Sequence, residues 1–418
     1  MSHYILHRGE RSAPRFGRLL LPLATAALAL LTALPAQADG SQPDSVQANA
    51  AQQAARKPAA PADCALPGRT GWTDEGHDTD PAQFLRPDGK IRAAMLFVDF
   101  PDAPATESTT EDAAQLTPAA DWLREASYGD ARLSITPINR WMRMPQNANT
   151  YGFERGITFE QHELYVGQAV AAADPYVDFG DYDIVYVVPT KAAGAITFSP
   201  TYLFDPGTTG VVADGKRVKW AVTFGQDMWR WGFKVLSHET GHIFGLPDLY
   251  AFSGETHGYV GGWDVMGLIS GASPRYSGWH SWKLGWIDDK EVACLDAAGQ
   301  STVKLSPIES KGGGTKLAVV RTGPTTAYVA EARRAEGLDS AACSSGVLIY
   351  KVDSAAQTGA GPMRVMDSTP GSTPGNGCLP LDDGAYQPGQ SFTDAATGVR
   401  IDVLKANGGH TTVRVSRT

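Results

Sequence analysis

Charge is scarce in this chain. Asp, Glu, Lys and Arg make up 19% of its 418 residues, with a formal balance of −9 and a sequence pI of about 5.5. Without a basic excess, neither nucleic acid nor an anionic membrane is expected as a main partner. Cysteine is nearly absent as well: there are four, none in C-x-x-C spacing, which argues against a thiolate metal site. Long apolar runs are missing except for one near the start, so no later segment is expected to span a bilayer. What is plentiful is Gly, 45, and Pro, 27, a turn-rich content that suits β-rich or irregular architecture better than a helical bundle. Hydrophobic residues at 42% are enough for real cores, and the length predicts more than one domain.

The one apolar run, Leu19–Leu34, follows Arg8, Arg11, Arg15 and Arg18 and precedes Pro35-Ala36-Gln37-Ala38. A basic start, an apolar middle and an Ala-x-Ala site describe a secretory signal, with cleavage expected after Ala38. Pro22 interrupts the run, which falls short of the ~20 residues needed to span. Losing this net +3 leaves −12 on the exported chain, which is expected to be secreted, extracellular, monomeric and free of the membrane. All four cysteines lie after the signal, and an even count in an exported chain favours two disulfides. Of three pairings, Cys343–Cys378 with Cys64–Cys294 is preferred, because the first closes a loop within one region.

Residues 39–90 read as a low-complexity leader or pro-segment: the Ala/Gln/Pro-rich stretch to 63 has no large apolar residue except Val46. Asp74, Asp78, Asp80 or Cys64 could occupy an open metal position in such a latent form, or zymogen. Ordered sequence is expected from about Arg92. Residues 91–288 form the first domain, of α+β class. Ala93–Phe100 and Tyr182–Val188 read as buried strands, Ala119–Ala126 and Phe159–Ala173 as helices. Asp214-Gly215 marks a hairpin, Lys216–Phe224 a strand, and Asp227 the cap of a helix running from Met228 to about Phe244, ended by Gly245. Residues 289–418 switch to short β-prone runs separated by turns and read as an all-β sandwich.

The helix after Asp227 contains Ser237-His238-Glu239-Thr240-Gly241-His242, then Gly245-Leu246-Pro247-Asp248. Positions i and i+4 share a helix face, so His238 and His242 aim two imidazoles at one metal ion. Glu239 follows the first ligand and reaches a water without itself ligating, as a general base. Gly245 turns the chain and brings back Asp248 as a third, oxygen ligand. Three protein ligands suit a catalytic Zn2+ site, since a fourth would close it. A bare H-E-x-x-H arises by chance in roughly 1% of chains this long; Gly and Asp at fixed offsets make it far rarer. Gln161-His162-Glu163-Leu164 lacks the second His and reads as a solvated helix face. Ca2+ suits the Asp/Gly-rich loops, although no calcium-loop spacing is visible.

HETGHIFGLPDLY followed by WDVMG (263–267) resembles the immune inhibitor A-type secreted zinc metallopeptidases, with a metzincin-like long zinc motif and a Met-turn. The likeness runs from about Arg92 to Trp286, including YGDARLSI and SGWHSWKLGW. It implies a metzincin-like catalytic domain, zinc on His238, His242 and Asp248, Glu239 as general base, Met266 in the turn, and protein or peptide substrates. Two departures stand out. The motif ends in Asp248 where most metzincins have His, and no Tyr follows Met266 by two residues, leaving Tyr276 or His280 as candidate transition-state donors. The expected activity is endopeptidase cleavage, with Lys216–Phe224 as a rim strand that binds an extended peptide by strand addition. One alternative is a thermolysin-like zinc hydrolase with Glu255 as third ligand. Another is a non-catalytic binding or adhesion protein on a degenerate protease scaffold.

Overall fold

Eleven residues from Gly89 to Asp99 form the first strand, β1, and all but Gly89, Lys90 and Arg92 are fully or nearly fully buried. Such a run fits a strand covered on both faces. A computed structural model describes residues 61–77, 79–154 and 156–418; the signal, the cleavage site at Ala38 and the leader up to 60 lie outside the described residues, as does Asp78.

Helices α1 (Thr109–Leu116) and α2 (Ala119–Ala126) follow, then β2 (Ala131–Arg143), α3 (Phe159–Ala173) and β3 (Ile184–Pro189). Capping boxes start α1 (Ser108 with Glu111) and α3 (Thr158 with Gln161). Next are β4 (Thr201–Leu203), the hairpin of β5 (Val211–Ala213) and β6 (Lys216–Val218), and β7 (Trp220–Thr223). Asp214 and Gly215 both take positive φ, 51° and 68°, as the hairpin turn requires. One sheet has the order β2-β1-β3-β7-β4, parallel except for the antiparallel edge strand β4. Ile91, Ala93, Met95 and Phe97 of β1 face a core shared with α2 and the helix Phe233–Ile243, while Ala94, Leu96 and Val98 face one closed by α3.

Three expectations change here. The helix from Met228 is two helices, α4 (Met228–Trp231) and α5 (Phe233–Ile243), broken at Gly232, whose φ of 55° no helix continues through. Asp227 stands at the N-cap position before Met228, but its side chain makes no cap bond; its carboxylate accepts from Ser199 N and Oγ at 3.0 and 2.6 Å. Lys216–Phe224 is not a rim strand either. Its first part is the hairpin, and its second, β7, is paired on both sides, which leaves β4 as the edge.

After α6 (Gly278–Lys283) come β8 (Val292–Leu295), β9 (Gly299–Leu305), β10 (Leu317–Arg321), β11 (Thr326–Arg333), β12 (Gly346–Asp353) and β13 (Met363–Val365). The chain ends with β14 (Ser391–Asp394), β15 (Val399–Asn407) and β16 (His410–Arg417). Sheets β13-β12-β11-β10-β8 and β14-β15-β16-β9 bury one face against each other through residues such as Val320, Ile349, Ile401 and Val413. The other face of the first sheet, with Leu317, Val319, Val329 and Tyr350, joins the same core as α2 and α5. The molecule is therefore mixed α+β, and its core runs on through residue 288.

Order also starts well before Arg92. Cys64 and Leu66 are fully buried, and Cys64 is disulfide-bonded to Cys294, as Cys343 is to Cys378. Trp279, Trp220 and Trp286 donate their indole N–H groups to the carbonyls of Glu75, Gln83 and Pro87. The His77 ring packs 4.8 and 4.0 Å from the rings of Trp279 and Trp282. Among the described residues no helix is long and apolar enough to cross a membrane.

Candidate metal centre

Helix α5 carries Ser237 to His242 through the core, and Gly241 is where it meets the loop that follows. A Cβ there would lie 2.6 Å from Met266 Sδ, so only glycine lets the methionine pack directly beneath the helix. Met266 itself is held in a tight turn: its N–H donates to Asp264 Oδ1, and Gly267 N–H to Asp264 O. Past Ile243 the chain reverses at Gly245, φ 91°, and Asp248 returns to the helix.

The histidine rings are fixed by backbone. His238 Nδ1 lies 2.8 Å from Val265 O and His242 Nδ1 2.8 Å from Leu246 O. A carbonyl only accepts, so each Nδ1 carries the hydrogen and each Nε2 presents a lone pair when neutral. Both Nε2 atoms point at one oxygen, Asp248 Oδ1, at 3.2 and 3.3 Å. Glu239 completes a group of ligand atoms lying within 4.8 Å of one another with His238 and His242. All four residues are at most 2% exposed. Two imidazole nitrogens and one carboxylate oxygen converge in a dry site, and once the imidazoles are neutral they form a donor set that suits zinc. The residues therefore fit a metal ion.

The charges respond to one another. Burial alone would lower His242, but the Asp248 carboxylate and Glu239 raise its pKa to about 9; Asp248 is held well below the usual carboxylate range by the two imidazoles despite its burial. Burial pushes the Glu239 carboxyl up to about 7, against the pull of both histidines and a hydrogen bond. That bond comes from Thr201 on edge strand β4, whose Oγ1 lies 2.8 Å from Glu239 Oε2 and 2.9 Å from Glu239 O. Nothing in Pro200-Thr201-Tyr202 marks this threonine in sequence; only the antiparallel return of β4 beside α5 brings it there.

Other candidates are placed elsewhere. The Tyr276 hydroxyl donates to Ser237 O at 2.7 Å, beneath the helix. His280 is fully buried, with Nδ1 2.8 Å from Asp264 Oδ2 and Nε2 3.1 Å from Glu75 Oε1. Neither side chain is aimed at the metal group. Glu255 is exposed on a loop. Cys64 is disulfide-bonded, Asp74 accepts from the backbone of Arg69, Thr70 and Gly76, and Asp80 from Ala82 N, so none of them reaches the metal group. His162 is not on a solvated face: it is fully buried, 3.0 Å from Thr223 Oγ1, and burial lowers its pKa to about 3. A cavity of about 840 Å³ beside Lys234, His257 and the Cys343–Cys378 bridge shares no residue with the metal group.

His280 yields a pH prediction. Burial opposes its charge, but Glu75 and Asp264 raise its pKa to about 10 from 6.5. A raised folded-state pKa contributes stability that is complete below pH 6.5 and is lost as pH climbs through 10. In urea unfolding, the stability gap between the native chain and His280→Asn is expected to be largest at pH 6 and to narrow steadily toward pH 10; a gap constant across that range contradicts the buried imidazolium.

A scan against protein-family models gives no match to the chain, and a search of curated proteins gives none either.

Proposed function

We propose that the chain is a secreted zinc-dependent endopeptidase of the metzincin-like kind its sequence resembles. The observation that carries this reading is the convergence of His238 Nε2 and His242 Nε2 on Asp248 Oδ1 beside a buried Glu239 carboxyl. His238, His242 and Asp248 would hold the ion. A bound zinc ion supplies Lewis acidity, polarising a carbonyl and acidifying water. Glu239 takes a proton from water and returns it to the leaving amine. Thr201 keeps that carboxyl in place through its hydroxyl.

The substrate surface on this reading is β4. Phe204 N–H donates to Lys219 O and Pro200 O accepts from Thr223 N, so the intervening alternate residues, Thr201 and Leu203, turn their backbone groups to the open edge. An extended peptide pairing there runs past Glu239, which suits protein or peptide substrates. Two disulfides and the basic-apolar N-terminal run support export.

The third ligand is tested by zinc content. Asp248→Ala in the full chain is expected to lose most of its zinc, while Glu255→Ala keeps about one per chain. The reverse pattern would replace this reading with a thermolysin-like ligand set.

A further inference from the structure

A loop of the C-terminal sheets reaches the metal group. Between β12 and β13 the chain passes Asp248 and bonds to it three times, across 110 residues of sequence. Asp248 N–H donates to Thr358 Oγ1 at 2.8 Å, the Thr358 hydroxyl is 3.4 Å from Asp248 Oδ2, and Gly359 N–H donates to Asp248 O at 3.0 Å. Phe252 N–H donates to Gly359 O at 3.0 Å and staples the loop from its other side. Thr358 is itself buried.

A hydroxyl has one hydrogen and two lone pairs, so Thr358 can accept from the Asp248 backbone and donate to its carboxylate together. The residue is then held at its amide, its carbonyl and Oδ2. Only Oδ1 is left to turn toward the two imidazoles, at 3.2 and 3.3 Å. Partners of this sort orient a ligand before the ion arrives and so raise affinity.

We infer that Thr358 is a positioning residue for the metal centre: acting through Asp248 it sets the affinity for zinc, which makes the C-terminal sheets part of the centre. This rests on reading His238, His242 and Asp248 as the zinc ligands. It gives the β region a role in the site, and the sequence TGAGP around Thr358 carries no motif that would announce it.

The test is zinc affinity of the full chain, measured by competition with a chromophoric chelator, alongside the melting temperature with and without zinc. Thr358→Val keeps the shape and removes the hydroxyl. It is expected to bind zinc about 10- to 100-fold more weakly and to show a smaller zinc-induced rise in melting temperature. Thr358→Ser restores the hydroxyl and is expected to stay close to the native affinity. Native-like affinity in Thr358→Val, or an equal loss in Thr358→Ser, overturns the inference while leaving the ligand reading intact. A native chain that takes up no zinc overturns the ligand reading itself. Should Thr358→Val not fold, Thr358→Ala replaces it under the same criteria.

Discussion

Glu239→Ala in the purified mature chain is expected to keep its fold and its zinc and to lose peptide hydrolysis by about 10²–10⁴-fold, the worth of a positioned proton carrier. The fold survives because the carboxyl is buried at a cost: desolvation is the largest influence on it and pushes its pKa to about 7. Replacing such a group by a methyl removes that penalty, so an unchanged or higher melting temperature is expected together with lost activity. Zinc survives because the converging donors are the two Nε2 atoms and Asp248 Oδ1, while Glu239 Oε2 is held by Thr201. Casein or peptide cleavage at the native rate in this variant would remove Glu239 from the chemistry. Loss of both zinc and cleavage would make it a ligand and not a base.

The largest effect on stability is expected at Arg333, far from the helix motif in sequence. Its side chain, fully buried at the end of β11, lies 3.0 Å from Glu331, 2.6 Å from Asp339 and 3.4 Å from Glu309. It also donates to Trp263 O at 3.2 Å and to Ser273 O at 3.4 Å, on either side of the Met266 turn, and stands 5.4 Å from the Trp263 ring centroid. Glu331 and Asp339 in turn accept from Gly278 N and Arg275 N. Arg333→Met leaves buried carboxylates without their cation. Breaking such a network by removing one partner costs about 3–5 kcal/mol, read as a lower urea midpoint at unchanged slope. A loss below about 1 kcal/mol, the level of an exposed ion pair, would show that water reaches these groups.

Much of the site was legible because its information is local. Helical spacing puts His238 and His242 on one face, Gly245 turns the chain, and Asp248 follows within a few residues; each step concerns near neighbours. The α2 and α3 bounds were legible for the same reason, as was the Asp214-Gly215 turn. What escaped the sequence depends on distant partners. The 64–77 segment looks like more of the leader, yet Cys294, Trp279 and Trp282 bury it from over 200 positions away. Gly232 sits inside a pattern that suits helix on both sides, and only its positive φ reveals the break. His162 has the polar neighbours of a solvated face, but Thr223 on β7 gives it a buried partner. Thr201 and Thr358 are ordinary threonines until the sheet edge and the β12–β13 loop bring them to Glu239 and Asp248.

The central claim, a zinc centre that cleaves peptides, is tested most directly by one paired measurement on the purified chain: metal content and peptide hydrolysis before and after chelation. The account predicts about one zinc per chain, cleavage that stops when the metal is removed, and recovery when zinc is returned. Cleavage that persists in metal-free protein, or a full complement of zinc with no hydrolysis of any peptide substrate, would contradict it.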